Sequence, residues 1–199
     1  MAGFLMYIVS TINQTGGAML LAYPELVDLV NDGVIEGVQP GAINAASIDV
    51  RLGNRFKYEG IPHPLKDRID LAARQPMTLF DIELDEDEFV TLNPGNFCLA
   101  HTIETFNLPN NISAQFLLKS SVARNGLEHA AATWCDAGWH GSVLTLELRN
   151  VTQHHRLMLR PGMYVGQMKF YKHTEVPAEQ SYAARGRYNN DSGVEGIKL

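Results

Sequence analysis

The sequence predicts an all-β protein, mainly strands with a few short helices. Two observations lead there: a succession of short alternating or apolar segments, and the Pro/Gly signals that separate them. Asn93-Pro94-Gly95, Leu108-Pro109-Asn110 and Arg160-Pro161-Gly162 punctuate the chain, the pattern of a sandwich, jelly roll or barrel. With 199 residues, 45% of them hydrophobic and 19% charged, the chain forms one domain. It can bury a core without disulfides or a structural metal.

Residues 1–18, ending in a glycine pair at Gly16 and Gly17, read as an N-terminal extension, and Met19 stands as an alternative start. A helix is expected from Pro24 to Val30. Pro24 suits a first helical turn, Leu26, Val27 and Val30 share a face, and Asn31-Asp32-Gly33 stops it. The pattern then turns strand-like. Over Ser47 to Leu52, Ile48, Val50 and Leu52 face one way and Ser47, Asp49 and Arg51 the other. Further strands are expected at 55–58, 88–92, 97–106, 112–118, 143–150, 156–159 and 164–171. The acidic run Asp81–Glu88 reads as a solvated loop or strand edge. The tail, 175–199, is rich in Ala, Gly, Asn and charge, and reads as disordered on its own or as a lid ordered by ligand. The expected division is therefore an extension (1–18), a β domain (19–174) and a tail (175–199).

Sixteen Lys and Arg against 22 Asp and Glu give a formal charge of −6, which argues against a nucleic-acid binder. Any phosphate must be gripped by a few local cations. Two cysteines, Cys98 and Cys135, make no disulfide framework, and a reducing cytoplasmic setting is expected. The apolar run from Met1 to Val9 is too short for a bilayer and lacks the basic flank of a signal peptide. None of the seven histidines makes a zinc spacing, and the zinc-deaminase signature is absent. They read as scattered surface or core residues.

Three segments offer chemistry. Lys119-Ser120-Ser121-Val122-Ala123-Arg124-Asn125-Gly126 follows an apolar strand and supplies hydroxyls, backbone N–H groups and a cation to an anion. A serine N-cap on a surface helix is the plainer reading. Ala132-Thr133-Trp134-Cys135-Asp136-Ala137-Gly138-Trp139 precedes the strand Val143–Arg149. There alternation sets Leu144, Leu146 and Leu148 against Val143, Thr145, Glu147 and Arg149. Glu147 is either an ordinary solvent-facing residue or a carboxylate on a rigid element, poised to move protons.

With these segments, Ile48-Asp49-Val50-Arg51-Leu52-Gly53-Asn54-Arg55-Phe56, Leu146-Glu147-Leu148, Arg160-Pro161-Gly162-Met163, Val165-Gly166-Gln167 and the Gly193-Val194 tail follow in order. The set resembles the dCTP deaminases of the trimeric dUTPase superfamily from about Met19 onward. The resemblance implies a distorted β-barrel or jelly roll of the dUTPase-like type, a homotrimer with active sites between subunits, and zinc-independent deamination of dCTP to dUTP and ammonia. It implies Mg2+ carried by the triphosphate, with dTTP or dUTP as further ligands. Carried onto this chain, Glu147 would be general base and acid. Ser120 and Arg124 would polarise the pocket, Arg124 from a neighbouring subunit, and the Ala132 backbone would position the base or the water. Lys119, Ser120 and Ser121 would face the triphosphate, Asp136 the deoxyribose, and Thr145 the nucleotide. Gln167, Tyr182, Arg187 and Asp191 would lie around the phosphates.

The chain departs from the family pattern in three places. Lys119 stands where the family has arginine, Arg187-Tyr188 replaces Lys-Tyr, and Asp191 stands where a phosphate-contacting glutamine is usual. Thr133-Trp134 matches neither the deaminase-only type nor fully the bifunctional type, which goes on to dUMP and pyrophosphate. The expected product is dUTP, with the bifunctional route as the alternative. A plain dUTPase and a non-catalytic nucleotide-binding trimer are the remaining readings.

Overall fold

The computed structural model describes residues 17–64 and 67–198; all but the last two residues of the N-terminal extension lie outside them. In chain order the elements are β1 (Met19–Leu20), helix α1 (Tyr23–Asn31), β2 (Ile35–Glu36), β3 (Ile48–Arg51), β4 (Arg55–Glu59), β5 (Leu79–Glu83) and β6 (Val90–Leu92). They continue with β7 (Phe97–Phe106), β8 (Ile112–Leu118), helix α2 (Ser120–Ala123), β9 (Leu127–His129), β10 (Trp134–Cys135) and β11 (Ser142–Asn150). Then follow β12 (Leu157–Leu159), β13 (Tyr164–Lys172), a 3-10 turn (Ala178–Gln180) and helix α3 (Tyr182–Arg185). All the pairings are antiparallel. One sheet runs β1-β13-β8-β10 with β3 also on β13; the other runs β5-β4-β7-β11-β9 with β2 also on β7; β12 and β6 form a separate ribbon. The fold is all-β, as the turn-punctuated sequence predicts.

Local chemistry accounts for the elements. Pro24 lies in the first turn of α1, and the Glu25 carboxylate takes the Ala22 backbone N–H at 3.2 Å. Leu26 and Leu29 are the helix's buried residues, so the apolar face is turned slightly from the one the sequence predicts. Gly95 and Gly162 adopt φ of 81° and 78°, the left-handed conformation that their Pro-Gly turns require. The acidic run divides between edge strand β5 and the turn beyond it. Strands β1, β2, β9 and β10 escape the sequence reading because two or three residues show no period.

Between the sheets lies a core around Phe56, Phe106, Phe116, Phe170, Leu146 and Leu148. Strand β7 is buried from Cys98 to Thr102, polar residues included, and each of those polar groups has a partner. Thr102 Oγ1 donates to the Glu104 carbonyl and accepts the Leu144 N–H, both at 2.9 Å. Glu104 receives Arg51 Nε at 2.8 Å on one carboxylate oxygen and the Arg51 backbone N–H at 2.9 Å on the other. Among the described residues no helix is long and apolar enough to cross a membrane.

His101 Nδ1 donates to the Thr102 carbonyl at 2.8 Å, and its ring packs so closely on Gly53 that a β-carbon there would lie 2.1 Å away. Burial holds the His101 pKa below its ordinary 6.5. The unfolded chain thus binds a proton that the folded chain refuses, and stability falls as pH drops below 6.5 toward the lowered folded value. The expected slope is at most about 1.4 kcal/mol per pH unit. Denaturant titrations between pH 7.5 and 5 should show it, and His101→Gln should flatten it.

Candidate active site

Strand β11 lies between β7 and β9, with Glu147 opposite Leu99 and Leu148 opposite His129. This pairing brings Glu147 Oε2 to 3.1 Å from Nε2 of a His129 side chain that is only 5% exposed. The two atoms are not aligned for a hydrogen bond, so neither ring nitrogen of His129 nor Glu147 Oε2 has a hydrogen-bond partner among the described residues. The His129 ring packs on Phe116, centroids 4.9 Å apart. His129 is the residue that sequence reasoning missed. Its spacing matches no motif, and only the pairing of β9 with β11 brings it to Glu147.

The alternation expected along β11 holds from Thr145 to Arg149 and fails before it. A register shift between Val143 and Thr145 interrupts the ladder with β7. As a result Val143, Leu144 and Thr145 all reach the cavity that Glu147 faces.

That cavity, of about 540 Å³, also takes in Ala132, Asp136, Tyr182 and Asp191, so six of the residues singled out from sequence converge there. Part of its wall is apolar, with Leu71, Pro76, Met77 and Leu79 among the lining residues. Next to Ala132, Ala131 holds φ of 64°, a conformation that strains a residue bearing a β-carbon. Trp134 Nε1 donates to Asp136 Oδ1 at 2.8 Å.

Lys119, Ser120, Ser121, Arg124, Gln167 and Arg187 do not line this cavity. Lys119 forms an ion pair with Asp49, and Gln167 accepts the Ser47 hydroxyl at 2.8 Å. Ser120, Ser121 and Arg124 are exposed around α2, and no side chain caps that helix. The serine-cap reading therefore does not apply. Arg187 is exposed on the tail.

The tail packs against the start of β11. Gly138 and Gly141, at φ of 86° and 63°, make this possible: a β-carbon on Gly138 would come 2.9 Å from the Ser181 side chain, and one on Gly141 2.4 Å from Asn190. Trp139 Nε1 donates to the Tyr188 carbonyl at 2.6 Å, the Val143 N–H to the Asp191 carbonyl at 2.9 Å, and the Glu195 N–H to Thr145 Oγ1 at 3.2 Å. The Asp191 carboxylate pairs with Lys198, which raises the Lys198 pKa through their hydrogen bond. The anion that departs from the family pattern is thus matched by a cation from its own tail.

Among the described residues no group of three or more His, Cys, Asp or Glu is gathered as a metal site requires. Burial raises the Tyr182 pKa and pushes both thiols up to about 12. Cys135, although on the cavity wall, is no nucleophile at neutral pH.

These features define an all-β domain in which a carboxylate, that of Glu147, faces a cavity from an internal strand. The fold is similar to that of a crystal structure of 2′-deoxycytidine 5′-triphosphate deaminase from Agrobacterium tumefaciens, with a TM-score of 0.60 at 21% identity, over 78% of this chain and 48% of that one. The family model described as dCTP deaminase-like matches residues 20–173. A "dCTP deaminase, dUMP-forming" from Methanosphaerula palustris is 40% identical over 82% of this chain and 86% of its own. One of the same name from a Nocardioides species is 37% identical over 88% and 92%. The chain belongs to the dCTP deaminase-like family and is an enzyme of that deaminase class.

Both thiols should stay silent toward a disulfide reagent at pH 8 in the folded protein and react together on denaturation. A fast-reacting native thiol would contradict the burial of Cys135.

Proposed function

We propose that the protein hydrolytically deaminates dCTP, bound as its magnesium complex, and carries the nucleotide on to dUMP and pyrophosphate. The observation that best supports the deaminase step is Glu147 itself. Its carboxylate faces a cavity with a largely apolar lining, beside a buried histidine whose ring nitrogens have no hydrogen-bond partner among the described residues. Unsatisfied polar atoms grouped in this way are what a bound water would satisfy. The dUMP-forming relatives from Methanosphaerula palustris and a Nocardioides species favour dUMP over the dUTP product expected from sequence.

In this reading Glu147 takes a proton from water as the oxygen bonds to C4 of cytosine, and returns it to the amino group as the C4–N bond breaks and ammonia leaves. The apolar wall strengthens each electrostatic contact to the ring. The Ala132 backbone and Thr145 hold the base, and Asp136 accepts a sugar hydroxyl. The second hydrolysis cleaves between the α- and β-phosphorus atoms and releases pyrophosphate.

Lys119, Ser120, Ser121, Arg124 and Gln167 belong, in this proposal, to the cavity of an adjacent subunit in a homotrimer. They carry cations, hydroxyls and an amide suited to a triphosphate and stand outside their own chain's cavity. Tyr182, Arg187 and the rest of the tail act as a lid that closes on the bound nucleotide.

Incubation with dCTP and magnesium, followed by anion exchange, should yield dUMP and pyrophosphate without free dUTP. Accumulating dUTP would remove the second step, and untouched dCTP the whole reading. Glu147→Gln should lower kcat by about 100-fold or more. Co-expressed, differently tagged Glu147→Gln and Arg124→Ala subunits should regain activity as mixed trimers. Mixtures as inactive as their parents would overturn the shared site.

A further inference from the structure

We infer that Trp134 is a positioning residue: its indole N–H orients the Asp136 carboxylate so that the site selects a ligand with a free hydroxyl at the sugar 3′ position. The inference rests on the proposed nucleotide reading.

Trp134 is more than half exposed, yet it is held from several sides. It belongs to β10 and pairs with Gln115 of β8. Its ring packs on Tyr171, centroids 5.8 Å apart, and the Tyr171 hydroxyl donates to Gln115 Oε1 at 3.1 Å. So supported, the indole donates to Asp136 Oδ1 at 2.8 Å. Asp136 Oδ2 takes no hydrogen bond from the described residues, and both residues line the cavity that holds Glu147.

An ionised carboxylate only accepts hydrogen bonds. With one oxygen fixed by a rigid donor, the other becomes a directed acceptor for a hydroxyl. A ligand without that hydroxyl leaves the acceptor unpaired once water is displaced, and is therefore held more weakly. An aromatic ring without an N–H would provide the same wall and leave the Asp136 side chain free to rotate.

Trp134→Phe tests this, since it keeps a ring against Tyr171 and removes the donor. The comparison is between dCTP and 2′,3′-dideoxycytidine triphosphate, by steady-state kinetics and by calorimetric binding to the intact protein. The variant should lose about tenfold in kcat/KM for dCTP, mostly through KM. The dideoxy nucleotide should change less than twofold, so that the preference collapses. Equal losses on both nucleotides, or an unchanged preference, would overturn the positioning role. A wild-type protein that deaminates neither nucleotide would overturn the activity reading instead. The binding preference would then still decide: the same ratio in wild type and variant, or no binding of either nucleotide by wild type, overturns the role of Trp134.

Discussion

The buried pairing of Arg51 with Glu104 joins the two halves of this molecule. Arg51 belongs to β3 in one sheet and Glu104 to β7 in the other, and the Arg51 guanidinium also donates to the Gly37 carbonyl at 2.6 Å. The Glu104 side chain is only 1% exposed. Removing either partner would strand a charge in the core, at about 3–5 kcal/mol. That is a large fraction of what holds a domain of this size together. Strand β7 is thereby fixed against the first sheet. Because β11 takes its register from β7, the position of Glu147 is set by a chain of rigid contacts that begins at an ion pair far from it in sequence.

The same chain of constraints explains the local irregularity beside the site. Thr102, two residues before Glu104, uses its hydroxyl to take the Leu144 N–H, where the β7–β11 ladder shifts register. A regular strand would send Leu144 into the core with Leu146 and Leu148. The shift lets Leu144 line the cavity while it still packs against the core, and keeps the downstream residues, Glu147 among them, in phase.

Much of this was legible in the sequence, and what was not has a physical reason. The long strands β7 and β8 emerge with the bounds expected, because a clear apolar pattern runs between strong turn signals. Glu147, Ala132, Asp136, Thr145, Tyr182 and Asp191 were identifiable as site candidates, and they share one cavity. His129 was not, since its proximity to Glu147 is a property of strand pairing rather than of spacing. Nor was the engagement of Lys119 with Asp49, 70 residues apart. Alternation put Asp49 on an outward face but could not say what it would meet there.

The two glycines beneath the tail tie distant parts of the gene together. Gly138 and Gly141 form a shelf shaped for Ser181 and Asn190, and the tail is secured over it by its own Asp191–Lys198 pair. Shelf and tail are therefore a matched set. A chimera that exchanged the tail for a relative's would inherit a surface cut for another sequence. Recombination within this family should succeed only when the crossover moves residues 136–143 and 181–198 as one piece.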